Sequence, residues 1–506
     1  MMKNYIQYTK ALALLFFFAL VSCDQDTSPT DAVEEKEVFK TVEGSEKVLN
    51  GSWGQLMETY YTYANPGFGS FLRTSDAMGN DAVLQTNKYG FGNHYQFSAL
   101  YGKGGTNTHS WNLSYKTINN MNNILAYIDN SKGDAGEKRR IKGQAYALRG
   151  FMYLHLASSY AFAIDKDPNA LAVPIYLKPT TVDTQPAKRS TVREVYNQAL
   201  ADLEEALVLI PEGYVRKQKF QIDHSVVLGL LSRANLYARN WEKARDYSDR
   251  VLAKNDYLMT ETEYKSGFND VANREWIWGH PQTPDQSNAS YQFHYLDVTS
   301  KDSYYYSFNA DPYFKELFED GDYRKSMINW APDPSADIEK ASVVWMRYGK
   351  FKFKAGQLAD MVLMRTSEIY LINAEAKAQL NDGDAINKLN EVKRARHAAL
   401  VSNVSGKDLL EAIWVERRKE LFGEGFALVD IVRNQKAVVR KKYEHNKVEY
   451  SYVVRDAHGN EETKTKIMTA NGHYALNFPD QSAFVANSPY YLYQIPNVEE
   501  RENPNL

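Results

Sequence analysis

The sequence predicts a mainly α-helical protein in which helix pairs recur on both sides of an irregular centre. Three observations carry that expectation. Apolar residues return at steps of three and four through 111–160, 191–252 and 366–421. The stretch 253–347 is broken by Gly, Pro and aromatic residues and holds no such period, and strict alternation is confined to one late segment, 447–467. With 506 residues, 43% of them hydrophobic and 24% charged, the chain can bury a large core. Its formal net charge of -3 offers no positive field to a phosphate backbone, so no nucleic-acid partner is expected. One cysteine excludes an internal disulfide and a thiolate metal cluster. The 36 tyrosines outnumber Phe and Trp together, which asks for a use of aromatic rings that carry hydroxyls.

In chain order, Lys3 and Lys10 precede the apolar run Ala11 to Val21, too short for a comfortable membrane span. Ser22 then meets the sole cysteine, Cys23, and LVSC resembles the end of a bacterial lipoprotein signal peptide. That resemblance implies cleavage of 1–22 and acylation of Cys23, which anchors the protein to outer-membrane lipid. Without those 22 residues and their two lysines the chain has 484 residues and a formal charge of -5. Residues 23–47 are polar and acidic and read as a flexible tether, with a single folded domain over 48–506.

A helix is expected over Trp111–Ile128, and the next over 137–160. In the latter, Ile141, Ala145, Leu148, Met152, Leu156 and Ser159 repeat on one face, and Gly143 admits a close neighbour. Thr191–Ile210, Val226–Tyr237 and Trp241–Leu252 follow, the last two joined at 238–240 in a pair that resembles a tetratricopeptide unit. Ile369, Ile372, Ala376 and Leu380 line a later helix, Asn381 to Asp384 turn, and Ile386, Leu389 and Val392 begin its partner. A further helix carries Leu410, Ile413, Arg417 and Leu421 and stops near Gly423 or Gly425. The alternating segment, interrupted at His458-Gly459, reads as a small appended β-hairpin.

Three blocks together resemble the SusD/RagB family. They are NNMNNILAYI with GQAYALRGFMYLHLASSYA and VPIYL, then MRTSEIYLINAEA with INKLNEVKRAR and ERRKELFGEGFALVDIVR, and the closing YLYQIPNVEERENPNL. The resemblance covers nearly the whole chain. It implies a SusD-like fold, with tetratricopeptide-like helix pairs supporting a loop-rich ligand-binding region. It also implies an outward-facing outer-membrane lipoprotein that captures oligosaccharide or polysaccharide without cleaving it. Such a protein passes its cargo to a SusC-like TonB-dependent transporter and uses no cofactor. A transporter-gating subunit for peptide or another nutrient, and a lipid-anchored glycoside hydrolase, stay open as alternatives.

The charged residues Arg365, Glu368, Glu375, Arg396, Glu416, Arg417 and Glu420 read as an interhelical ion network, with Arg365/Glu368 and Glu416/Glu420 each sharing a helix face. Paired carboxylates also suit glycoside hydrolysis, but interleaved arginines favour the network. The ten histidines form no HExxH pair, NDGDA lacks the full calcium-loop spacing, GFGN and GKGG complete no phosphate loop, and no GxSxG elbow is present. No metal or catalytic residue is expected. A sugar site needs flat rings for the CH face of the sugar and polar groups for its rim. Tyr304, Tyr305, Tyr306 and Trp330 are the leading candidates, with Tyr89, Tyr95, Asn93 and Arg324 beside them. Trp276 and Trp278 either frame that site or form a core pair.

Overall fold

The computed structural model describes residues 35–60, 66–86, 88–456 and 458–506. The expected signal peptide and Cys23 lie outside these residues. The first long helix, α1 (Val42–Glu58), is capped by Thr41, whose hydroxyl accepts from the Gly44 N–H at 3.1 Å. Phe39, Val42 and Trp53 are buried. A domain start at Val48 therefore falls inside a packed helix, and the folded body begins earlier than the sequence pattern suggests. The polar composition of 35–47 had hidden the apolar residues that dock it.

Helix α2 (Gly69–Ala77) leads to the array. Helix α3 (Thr106–Tyr127) starts five residues before Trp111 because Asn107, His109 and Ser110 continue its buried face. Asp134 caps α4 (Ala135–Tyr160), and a capping box of Thr191 with Glu194 opens α5 (Val192–Leu209). Gly143 does admit a close neighbour: a Cβ there would stand 2.6 Å from the Ile210 side chain. Helices α6 (His224–Tyr237) and α7 (Trp241–Leu252) form the tetratricopeptide-like pair. Beyond the irregular centre come α8 (Thr366–Gln379), α9 (Ala385–Ala395), α10 (Gly406–Glu420) and α11 (Ala427–Arg433). After α10, Gly423 and Gly425 take φ of 78° and 92°, a turn that favours glycine.

Each helix from α3 to α9 packs on the next, and α7 packs on α8 although the whole centre separates them in sequence. The helix pairs on either side of the centre are thus one continuous array. Among the described residues no helix is long and apolar enough to cross a membrane.

Short strands occur before α3, in and just after the centre, and in the late segment: β1 (Ala82–Leu84), β2 (Trp276–His280), β3 (Phe308–Ala310), β4 (Ile328–Ala331), β5 (Val343–Tyr348), β6 (Met361–Arg365), β7 (Lys447–Arg455) and β8 (Glu461–Asn471). β1 pairs with β3 and β2 with β6, both antiparallel. The hairpin β7–β8 is more than an appendage, since β8 runs parallel to β5 and completes a four-stranded sheet in the order β4-β5-β8-β7. Met468 and Ala470 join Val344 in a small core under that sheet. Trp276 and Trp278 are core residues. The Trp278 ring meets Trp53 edge-on at 5.3 Å, and its Nε1 donates to the Phe220 carbonyl at 2.8 Å.

Candidate functional site

The tyrosine run at 304–306 sits where the chain folds back on itself. One carbonyl, that of His294, accepts from Ser303 Oγ at 2.6 Å and from the Tyr305 and Tyr306 N–H groups at 3.1 Å each. Asp297 ties the intervening turn, accepting from the Ser300 N–H with one oxygen and from the Phe353 N–H with the other, each at 3.0 Å. Tyr306 then adopts φ 48°, and its carbonyl accepts from Arg347 Nη1 at 2.8 Å.

This turn gives three adjacent tyrosines three different surroundings. Tyr304 lies flat on the His294 ring, with centroids 3.9 Å apart and planes 12° apart, and stays 53% exposed. Tyr305 is half-buried against Tyr295, stacked at 5.0 Å, and its hydroxyl meets that of Tyr291 at 2.8 Å. Tyr306 is only 4% exposed, with Lys88 Nζ 5.2 Å above its ring. From the other side Tyr89, 52% exposed, approaches Tyr305 at 5.9 Å. Two open rings thus flank a packed one.

Polar groups border the rings. The Tyr304 hydroxyl donates to Gln357 Oε1 at 3.2 Å, and Gln357 Nε2 donates to the Asp302 carbonyl at 2.7 Å. Lys88 and Gln85 both reach Asp333, at 3.4 and 2.9 Å. Burial works against the Asp333 carboxylate, but the Gln85 hydrogen bond and the Arg347 and Lys88 charges hold its pKa below the ordinary value. Burial pushes His294 down to about 4, so a neutral imidazole supports Tyr304 at neutral pH.

Other sequence candidates take other places. Tyr95 is corrected to a core residue: it is fully buried, its hydroxyl lies 2.7 Å from His473 Nδ1, and Arg440 covers its ring at 4.1 Å. Arg324, a sequence candidate for sugar contact, is also corrected to an ion-pair residue, fully buried among Asp322, Glu416 and Glu420. The buried ring of Tyr306 offers no stacking face, so its part is to shape the turn. Trp330 lies on β4 against Tyr443, at 5.4 Å, as the edge of the small sheet core. Asn93 is exposed in a short helical turn, where its carbonyl accepts from Ser98 Oγ at 3.1 Å.

The charged residues divide into separate clusters. Glu420 accepts from Arg324, Arg365 and Arg396 at 2.6, 2.6 and 2.8 Å. Arg365, at the junction of β6 and α8, also holds Glu275 and Glu424, each at 2.7 Å. Glu368 does not pair with Arg365, because it faces Arg233 of α6 at 2.6 Å. Glu375 binds Arg433, and Asp430 links Arg433 to Arg417. Burial opposes the charge on Glu416, but Arg324, Lys419 and Lys393 bring its pKa down to about 2, and the three arginines hold Glu420 well below its usual value. A glycosidase acid needs the opposite shift. Glu275, Glu424, Lys350 and Asp322 belong to the cluster and were missed, since single charges in irregular sequence give no periodic signal.

Residues 34–236 match a family model described as starch-binding and associating with the outer membrane, and residues 253–506 match that of the SusD family. A SusD-like carbohydrate-binding protein from Bacteroides vulgatus is 61% identical and superposes with a TM-score of 0.89, over 92% of this chain and 97% of that one. A SusD superfamily protein from Bacteroides thetaiotaomicron, 22% identical, shares the fold with a TM-score of 0.74 over 92% and 98% of the two chains. In sequence, SusD-like protein P38 of Formosa agariphila is 23% identical over 84% of this chain and 91% of its own. With the helical array, the small sheets and matches along both halves in agreement, the chain belongs to the SusD family, whose members are carbohydrate-binding proteins associated with the outer membrane.

Proposed function

We propose that the protein captures oligosaccharide or polysaccharide at the face formed by Tyr89 and Tyr304, leaves its bonds intact, and delivers it to a SusC-like TonB-dependent transporter from the outer side of the outer membrane. The observation that carries the reading is Tyr304, whose ring is stacked on His294 and still 53% exposed. A rigid open ring of that kind suits the CH face of a pyranose, and the amide of Gln357 and the Lys88–Asp333 pair suit its hydroxyls. The lowered pKa values of Glu416 and Glu420 argue against that pair as the acid and base of a glycosidase. The family's outer-membrane description and the LVSC sequence at Cys23 support the location.

Calorimetric titration with a broad panel of polysaccharides tests the reading. Saturable binding to at least one, weakened in Tyr304→Ala without a change in unfolding, is expected. No binding across the panel sinks it. Reducing-end assays on the bound polymer should show no new ends, and co-purification from the membrane should recover a β-barrel transporter.

A further inference from the structure

A concavity of about 500 Å³ lies along α3 and is bordered by the segment 174–180 and the short helix Asn497–Glu502. None of its lining residues belongs to the tyrosine cluster at 89 and 304. Its volume is that of a small-molecule site. Three rings form the walls: Trp111 and Tyr115 with centroids 4.7 Å apart, and Tyr176 edge-on to Tyr115 at 5.9 Å.

The walls are fixed before any ligand arrives. The Tyr115 hydroxyl donates to the Pro174 carbonyl at 2.7 Å, and the Tyr176 carbonyl accepts from the Tyr153 hydroxyl at 2.8 Å and from Asn122 Nδ2 at 3.1 Å. The Tyr176 hydroxyl accepts from the Ala187 N–H at 2.9 Å, and the Thr180 N–H donates to Asn119 Oδ1 at 2.9 Å. On the C-terminal side Asn503 Nδ2 donates to the Ala187 carbonyl at 2.9 Å, and Lys103 pairs with Glu500 at 2.7 Å. Preorganised walls lower the ordering cost of binding.

At the rim, Asn112 and Lys116 stand exposed four residues apart on α3, and half-buried Glu499 lines the C-terminal side. We propose that this groove is a second glycan subsite, which takes a neutral pyranose unit against the half-buried rings of Tyr115 and Tyr176, with buried Trp111 packed behind them, and holds its hydroxyls with Asn112, Lys116 and Glu499. The ammonium only donates, the carboxylate only accepts and the amide does both, a mixture that matches hydroxyls, which also do both. An anionic ligand would face Glu499 and a cationic one Lys116, so the lining favours a neutral chain. The choice of ligand rests on the carbohydrate reading above, while the groove itself is independent of Tyr304. Two sites on one chain would raise the residence of a long polymer through effective concentration.

The test uses the full chain labelled with 5-fluorotryptophan in a sugar-free detergent, with the Trp111 fluorine signal identified by its loss in Trp111→Phe. Maltoheptaose, xylohexaose, mannohexaose and galactohexaose are titrated separately, with an oligogalacturonate and a casein digest as charged and peptide controls. At least one neutral oligosaccharide should move the Trp111 signal saturably. Asn112→Ala and Glu499→Gln should each raise the concentration at half-shift by about tenfold, and Tyr304→Ala should leave it unchanged. Silence of Trp111 toward all four neutral sugars, preference for the oligogalacturonate or the digest, or abolition of the response by Tyr304→Ala would overturn the proposal. If Trp111 is silent while Tyr304→Ala weakens calorimetric binding, only the second subsite falls. If Trp111 responds and Tyr304→Ala has no effect on total binding, only the first reading falls.

Discussion

The Glu420 cluster and the Tyr304 face are built from similarly conspicuous sequence, yet they divide labour completely. Glu420 meets three arginines with no exposed surface, so its interactions are already used within the molecule. Tyr304 stacks on His294 and meets Tyr305 edge-on at 6.4 Å, yet leaves 53% of its surface exposed. Partnership on all sides marks a support, and partial partnership marks a surface held ready for something else.

The sharpest way to break that contrast is Glu420→Ala. It leaves three buried guanidinium groups without their shared acceptor and should cost about 3–5 kcal/mol of stability, read as a lower urea midpoint at constant slope. An unchanged midpoint would deny the cluster its supporting role.

Acid sharpens the same contrast. Burial pushes His94, His109, His155, His280 and His294 down to about 4, and burial with the Arg440 charge takes His473 to about 3. Below the ordinary value of 6.5 the unfolded chain binds protons at these rings that the folded chain refuses. Their contribution is therefore complete above that pH and is lost as pH falls toward 4. Asp76 and Asp311, raised by burial to about 7 and about 8, oppose this trend by holding protons that the unfolded chain releases. Glu58, Asp202, Asp297 and Glu499 are raised by burial as well, and His224 is lowered. Each pH unit by which folding moves a pKa is worth about 1.4 kcal/mol, and with the histidine rings outweighing the raised carboxyls the urea midpoint should be lower at pH 5 than at pH 7. An equal or higher midpoint at pH 5 would refute this balance.

On the open face, Tyr304→Ala should weaken glycan binding about tenfold, roughly 1.4 kcal/mol, with the unfolding midpoint unchanged. Tyr89→Ala, removing a ring with less support beneath it, should weaken binding only about two- to threefold by calorimetry, roughly 0.5 kcal/mol. A Tyr89 effect larger than that of Tyr304 would move the centre of the site.

Much of the scaffold was legible because helices repeat locally. The steps from Ile141 to Ser159 all lie on the buried face of α4, and the alternation of 447–467 is the β7–β8 pair. The site was legible only in part. Tyr89 and Tyr95 look alike in one aromatic, glycine-rich stretch, but His473 and Arg440, distant in sequence, claim the second ring. Arg324 likewise sits in a loop-like segment, and only the return of α10 reveals Glu416 and Glu420 as its partners. Composition nominates a residue for a surface, whereas long-range contacts decide whether it reaches one.

The packing of α7 on α8 also bears on how the binding face can change. Those helices close a loop over 253–365 that contains Tyr304, and loop-closure entropy grows only logarithmically, so doubling that loop would add about 0.6 kcal/mol. By loop closure alone the segment can gain exposed length at little thermodynamic cost, provided the parts that pack, among them Glu275, Trp276, Trp278, Arg324 and Arg365, still dock. The array thus acts as a chassis into which different recognition cassettes fit, a design open to evolution and to grafting alike.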